Sequence, residues 1–300
     1  MSSYKRIEFT SPSLSSVKST VVVDVHEKNP QLEPRILWNV NGRNFYGTDI
    51  AKCFDELSYR AQRTSIYTLH DDELKMNAEC GGSCLNLASP EHLAPVFLMW
   101  PSRRFCVNVV GPCAEIPLMD GSALPFFHAI RREAGVPEEL AFYDAPVNAS
   151  FDICPKDGEK PYGSVRISPS ETFEVEYVVD RKFDGINDGE ENFFSSASTS
   201  IYSAEDLYNI FSARTFISRH EYNEARNQGL LSGVDESCGL ILGEEKYRIA
   251  EEPAFHKILD LLGDLSFVRS ALPRIRVEIV NGGHSSHRKI LEAVLPYAVR

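Results

Sequence analysis

Apolar positions along this 300-residue chain recur with two periods, and each period predicts a kind of element. Alternation marks strands at Lys18–Val25, Arg35–Val40, Arg104–Val110, Ser164–Ile167, Glu171–Asp180, Leu240–Leu242 and Ile275–Val280, several of them rich in Val and Ile. Helical spacing appears in Asp49–Arg60 through Ile50, Phe54 and Leu57, and in the segment from Pro90 through Val96, Phe97 and Met99. There Ser89 suits an N-cap and Pro90 the first helical position. Further helices are predicted over Phe126–Ala134, from Ser203 with a capping-box start, over Glu221–Asn227, over 256–264, and from His284 through Ile290, Leu291 and Leu295. Gly111–Phe126 is too dense in Gly and Pro for a regular element and reads as a shaped loop. Cys84–Ala88 reads as a loop or short strand end, Asp184–Ser200 as a polar loop, and Gly229–Gly239 as turns. Gly135-Val136-Pro137 suggests a boundary. The expected fold is therefore α+β in two similar halves, 1–135 and 136–300, each a sheet packed with helices.

The stretch with the most chemistry is Phe255-His256-Lys257-Ile258-Leu259-Asp260-Leu261-Leu262-Gly263-Asp264. At about 100° per residue, His256, Asp260 and Asp264 share one narrow stripe of the helix. A His and an Asp one turn apart can both reach a divalent metal such as zinc. The plainer reading, which the spacing alone favours, is a solvated His/Asp pair, bonded to Lys257 or to each other. Glu91 and His92 fall in the first turn after Pro90, where backbone N–H groups favour an ionised carboxylate. A surface Glu and His there would serve equally well as structure.

Net charge is −12 with a pI near 5.2, which argues against a nucleic-acid surface but leaves room for a local basic pocket. Met1–Thr20 is Ser-rich without an apolar run fit for a signal peptide, and nothing later approaches the ~20 apolar residues of a membrane span. A cytosolic protein, expected to be a monomer, follows from that reading. Seven cysteines, an odd number scattered over the chain, do not make a disulfide framework. The Cys80-Gly81-Gly82-Ser83-Cys84 run lacks a second Cys/His pair and reads as a surface turn rather than a structural zinc site.

Taken in order, Ser89-Pro90-Glu91-His92-Leu93, Ala114–Phe126, Ala213-Arg214-Thr215-Phe216, the 256–264 helix and Gly282-Gly283-His284 resemble the motif set of the UDP-3-O-acyl-N-acetylglucosamine deacetylases. The likeness runs from about residue 60 to residue 296. It implies two βα-layered domains with helices sandwiched between two sheets and a site in the interdomain cleft. It also implies zinc-dependent removal of the N-acetyl group from a UDP-linked acylated amino sugar, releasing acetate, the committed step of lipid A biosynthesis. By resemblance His92, His256 and Asp260 hold the zinc, and Glu91 is the general base. Thr215 supplies a hydroxyl to the oxyanion, His284 protonates the departing amine, and Asp264 keeps His284 cationic. Lys257, pointing away from the metal stripe, meets the diphosphate, while Phe216 packs on the sugar. The chain departs from the family pattern at Ser11–Ser19, at Arg181-Lys182-Phe183-Asp184, just after Phe216 and at Gly233-Val234, all loop or substrate-contacting positions. A zinc amidase acting on another N-acetylated sugar conjugate, or a non-catalytic homologue with a binding role, are the alternatives. His26, His70, His128, His220 and His287 read as structural or surface residues, with His287 the one candidate for an auxiliary role.

Overall fold

The alternating Val, Ile, Phe and Trp residues of the first half build a sheet buried on one face. In the computed structural model, residues 4–14, 18–28, 36–47, 66–69, 85–110, 114–154, 160–186, 189–229, 231 and 234–298 are described. The predicted helix at 49–60 and the Cys80–Cys84 turn lie outside these residues. Strands β1 (Tyr4–Ser11), β2 (Ser19–His26), β3 (Ile36–Val40), β4 (Arg43–Tyr46), β5 (Ile66–Leu69), β6 (Leu85–Ala88), β7 (Phe105–Val109) and β8 (Ala114–Glu115) make two sheets. The larger has the order β1-β2-β7-β3-β4, antiparallel except where β3 runs parallel to β7. Val21, Val23, Val25, Trp38, Val107 and Val109 point to its buried side. The smaller has the order β5-β6-β8.

After helix α1 (Leu124–Ala134) the chain forms β9 (Phe142–Asp144), β10 (Ala149–Ile153), β11 (Gly163–Pro169), β12 (Phe173–Ile186) and β13 (Gly189–Ile201). Helix α2 (Ala204–Ser212), the short β14 (Phe216–Ile217), helix α3 (Arg219–Asn227) and β15 (Leu240–Ile241) follow. Helix α4 (Glu252–Ser266), β16 (Leu272–Val280) and α5 (His284–Ala298) complete it. The second sheet has the order β10-β11-β16-β12-β13, with β9 also beside β16. Its inner face carries Val165, Ile167, Phe173, Val175, Tyr177, Val179, Val277 and Ile279, all buried. Its outer face is a charged ladder in which Arg276 meets Glu174, Glu176 and Glu278. The fold is α+β: one continuous apolar core joins the inner faces of both large sheets to α1, α2, α4 and α5.

Two expectations are corrected. Asp184–Ser200 is not a loop: most of it is β13, which pairs antiparallel with β12 from Ile186↔Gly189 to Phe173↔Ile201. Its Glu, Asn and Ser residues carry no apolar period because an edge strand buries little. Ser195, Ala197 and Ile201 suffice, and the ladder to β12 overrides weak propensity. The single helix expected from Pro90 is instead two short 3₁₀ helices, Pro90–His92 and Ala94–Met99. Ser89 is no N-cap: it sits at φ 58°, ψ 41° and makes no capping hydrogen bond. β1, absent from the sequence reading, is an added edge strand.

Helix α4 is buried along nearly its whole length. It packs against β12 and β13 on one side and against both 3₁₀ helices of the first half on another. Gly263 permits that closeness. A Cβ there would lie 2.2 Å from the Glu91 carbonyl oxygen and 2.5 Å from Glu91 Cα, so only glycine lets the helix close on the Pro90–His92 turn.

Candidate active site

Elements from both halves meet along α4. His256, Asp260 and Asp264 lie one turn apart on it, and all three are buried. The Pro90–His92 turn sets Glu91 and His92 against them, both buried as well. That turn is fixed from behind: Ala88 pairs in register with Glu115, and the buried Glu115 carboxylate accepts hydrogen bonds from Ser13 Oγ at 2.7 Å and Ser89 Oγ at 3.5 Å.

The first cluster is His92, His256 and Asp260. Asp260 Oδ1 lies 3.2 Å from His256 Nε2 and 3.7 Å from His92 Nε2. The two imidazoles meet edge to face with centroids 5.0 Å apart. One ligand atom from each residue falls within 4.8 Å of the others. Tetrahedral zinc with donors at ~2.0–2.1 Å needs them roughly 3.4 Å apart, so the spacing and the two-nitrogen, one-oxygen donor set fit that ion. The protonation pattern fits too. His256 Nδ1 donates to the Ala213 carbonyl at 3.1 Å, which leaves the Nε2 lone pair facing inward. Asp260 is held well below the usual carboxylate range although burial opposes this, and the Lys257 ammonium beside it works in that direction.

Lys257 corrects another expectation. It does not point away from the stripe: its Nζ donates to Asp260 Oδ2 at 2.8 Å and lies 5.4 Å from the Phe216 ring centroid. The Phe216 ring in turn meets His256 edge to face at 6.2 Å. Thr215 is half-buried between these contacts, its backbone N–H on the Gly121 carbonyl at 2.7 Å and its carbonyl accepting from Leu240 at 2.8 Å. Arg214 clamps this segment to α4. It makes a buried double contact with Glu252, Nε to Oε1 at 2.9 Å and Nη2 to Oε2 at 3.2 Å, and a further one with Glu245. The Arg214 backbone N–H also donates to Glu252, at the first position of the helix.

The second cluster lies one turn further along α4. Asp264 Oδ2 accepts from His284 Nδ1 at 2.7 Å and from His287 Nδ1 at 2.9 Å. The other face of His284 looks back to Glu91, with Nε2 3.8 Å from Oε1. Burial works against a charged His284, yet Asp264 and, further off, Glu91 and Asp260 push it up to about 9. Asp264 is lowered to about 2 against its own burial, chiefly by His284. Glu91 behaves otherwise than a first-turn carboxylate was expected to. Burial pushes it up, and the nearby His284 and His92 offset this only in part.

The site thus brings Glu91, His92, His256, Asp260, Asp264 and His284 together, with Phe216 and Lys257 at its margin and Thr215 in the adjoining segment. Two contributors were missed, Arg214 as a clamp and Tyr177, whose hydroxyl lies 3.0 Å from Nε2 of His287, the residue read as the one auxiliary candidate. The signals were present. His284 and His287 are three apart on a helix, and a tyrosine on an inward-facing register must find a polar partner.

A family model of UDP-3-O-acyl N-acetylglycosamine deacetylase matches residues 36–296. Among similar proteins is the UDP-3-O-acyl-N-acetylglucosamine deacetylase of Sodalis glossinidius, 28% identical over 219 residues, covering 70% of this chain and 67% of the relative. Its counterpart from Synechocystis is 26% identical over 234 residues, covering 74% and 78%. That of Acidithiobacillus ferrooxidans is 28% identical over 241 residues, covering 76% and 73%.

Proposed function

The chain belongs to the UDP-3-O-acyl N-acetylglycosamine deacetylase family, and on that premise we propose that it hydrolyses the N-acetyl group of UDP-3-O-(3-hydroxyacyl)-N-acetylglucosamine, releasing acetate, with zinc as cofactor. The observation that carries this reading is the convergence of His92 from one half with His256 and Asp260 from the other, at donor spacings suited to one zinc ion. When bound there, zinc supplies Lewis acidity that brings water's ionisation towards neutral pH, polarises a carbonyl and opposes the burial that raises Glu91.

The remaining roles belong to the chain. Glu91 takes a proton from the attacking water, since its carboxyl adjoins His92 and is desolvated. Thr215 donates its hydroxyl to the oxygen that gains charge as the amide carbon becomes tetrahedral. His284 arrives cationic, held so by Asp264, and passes its Nε2 proton to the departing amine. Water's O–H and the C–N bond are broken, the new C–O bond completes acetate, and the sugar leaves with a free amine. Lys257 and Phe216 face the substrate, the ammonium towards the diphosphate and the ring towards the sugar. Lys257 also keeps Asp260 ionised and oriented.

No helix among the described residues is long and apolar enough to cross a membrane. Cys106, Cys154 and Cys238 are free thiols, in keeping with a cytosolic protein. The test is acetate release from the purified, zinc-loaded protein on UDP-3-O-(3-hydroxyacyl)-N-acetylglucosamine. Activity only on a different N-acetylated sugar conjugate would move the substrate assignment, and inactivity across such a panel would overturn the hydrolase reading.

A further inference from the structure

We propose that His287, seated by the Tyr177 hydroxyl, is a positioning residue for proton delivery: it fixes the Asp264 carboxylate in the orientation that carries His284. This deepens the deacetylase reading and rests on it for the role of His284.

For a neutral His287 the geometry admits one consistent pattern of protons. Asp264 Oδ2 accepts from His284 Nδ1 at 2.7 Å and from His287 Nδ1 at 2.9 Å, and an ionised carboxylate brings no proton of its own. Nδ1 of His287 must therefore carry the hydrogen, which leaves Nε2 as a lone pair. Tyr177 OH, 3.0 Å from that Nε2, is then the donor. The chain runs Tyr177 O–H to His287 Nε2, His287 Nδ1–H to Asp264, and His284 Nδ1–H to the same Asp264 oxygen. It links the sheet strand β12 through both helices of the site.

A second observation supports it. Gly282 sits in the turn into α5, and a Cβ there would lie 2.7 Å from Tyr177 OH and 2.4 Å from Ile279 Cγ2. The turn that delivers His284 leaves room for the tyrosine hydroxyl. Burial also keeps both outer members neutral, lowering His287 and raising Tyr177 well above its ordinary value. The tautomer is then not lost to protonation or ionisation.

A carboxylate can rotate about its Cβ–Cγ bond and swap oxygens. Two N–H groups three residues apart on α5, converging on a single oxygen, remove that freedom. His284 Nε2 stays directed at Glu91, 3.8 Å away, where the leaving amine must be met.

Two measurements test this. In protein with ¹⁵N-labelled histidine, the ring spectrum of His287, assigned by its loss in His287→Asn, should show the Nδ1–H tautomer, and Tyr177→Phe should mix in the other form. An Nε2–H His287 in the wild type overturns the proposal whether or not the protein is active on the assayed substrate. In acetate release, His287→Leu should lower kcat by ~10–100-fold with KM nearly unchanged, while His287→Asn, whose Nδ2 replaces Nδ1 as donor, should stay within about threefold of wild type. Equal losses in the two variants, or wild-type turnover in His287→Leu, refute the positioning role. A wild-type protein without acetate release refutes the deacetylase reading instead, and the tautomer still decides this one. Should His287→Leu not fold, Tyr177→Phe against wild type gives the same comparison, with a several-fold fall in kcat expected and no change refuting it.

Discussion

Two groups of the same composition, two histidines and one aspartate, gather about Asp260 and Asp264 one turn apart on helix α4, and they are built for different work. In the group of His92, His256 and Asp260 the donor atoms stand 3.2 and 3.7 Å from the shared oxygen. In the group of Asp264, His284 and His287 the corresponding distances are 2.7 and 2.9 Å. The first spacing suits lone pairs gathered around an ion, and the second is that of N–H groups bonded to a carboxylate. A backbone contact accounts for the His256 part of the difference. His256 spends its Nδ1 hydrogen on the Ala213 carbonyl and so presents a bare nitrogen inward. His284 and His287 spend theirs on Asp264. Residue type does not separate a metal site from a proton relay; what each imidazole does with its other nitrogen does.

The sharpest way to break this contrast is to remove each aspartate in turn. Asp260→Ala should leave dialysed protein largely without zinc and cost several kcal/mol of transition-state stabilisation, on the order of 10³-fold in acetate release or more. Asp264→Ala should keep its zinc and lose turnover through His284 alone. Equal zinc content in the two, by elemental analysis, would erase the distinction. Glu91→Gln comes next: zinc retained, turnover lower by about 10²–10⁴-fold. Near-wild-type activity in that variant would remove Glu91 as the base.

His284 sharpens the contrast through pH. Its folded value, about 9, lies above the ordinary 6.5, so the protonated form is the resting form and the one needed to meet the amine. kcat/KM should fall as pH rises through about 9, and His284→Ala should lack that limb along with most of the activity. The same shift links to stability. A raised folded value contributes fully below 6.5 and is lost as pH rises through about 9. Wild-type melting temperature should therefore drop over that window more than that of His284→Ala. Parallel curves would mean the Asp264 pairing adds nothing to folding.

Much of this site could be read in the sequence because helix geometry is local. The i, i+4 rule placed His256, Asp260 and Asp264 on one stripe without knowledge of any neighbour. Lys257 failed under the same rule because a backbone direction was taken for a side-chain one. Its four-carbon stem swings from the adjoining face to Asp260, an i, i+3 neighbour. Glu91 and His92 could be named, but their turn could not be drawn, since the left-handed Ser89 depends on β6 lying beside β8. Charge on Glu91 was misjudged for a related reason. Helix-start N–H groups are a local property, while its burial under α4 is a tertiary one. β13 was missed because pairing with β12, not its own residues, makes it a strand.

The smallest effect expected in this series concerns the glycine between the two clusters. Gly263→Ala would ordinarily stabilise a helix interior by about 1 kcal/mol. Here the added methyl meets backbone rather than a side chain that could turn aside, 2.2 Å from the Glu91 carbonyl oxygen. Overpacking of that kind costs ~1–3 kcal/mol, occasionally more, and so outweighs the propensity gain. The melting temperature should fall by a few degrees. The helix and the Pro90–His92 turn must then move apart, which displaces Glu91 and His92 from the zinc cluster but leaves the Asp264–His284–His287 contacts, made between α4 and α5, in place. Zinc affinity should consequently weaken while the His287 tautomer signal stays as in wild type. If the tautomer signal changed and zinc affinity did not, the two clusters would not be mechanically separate, and the division of labour along α4 would have to be redrawn.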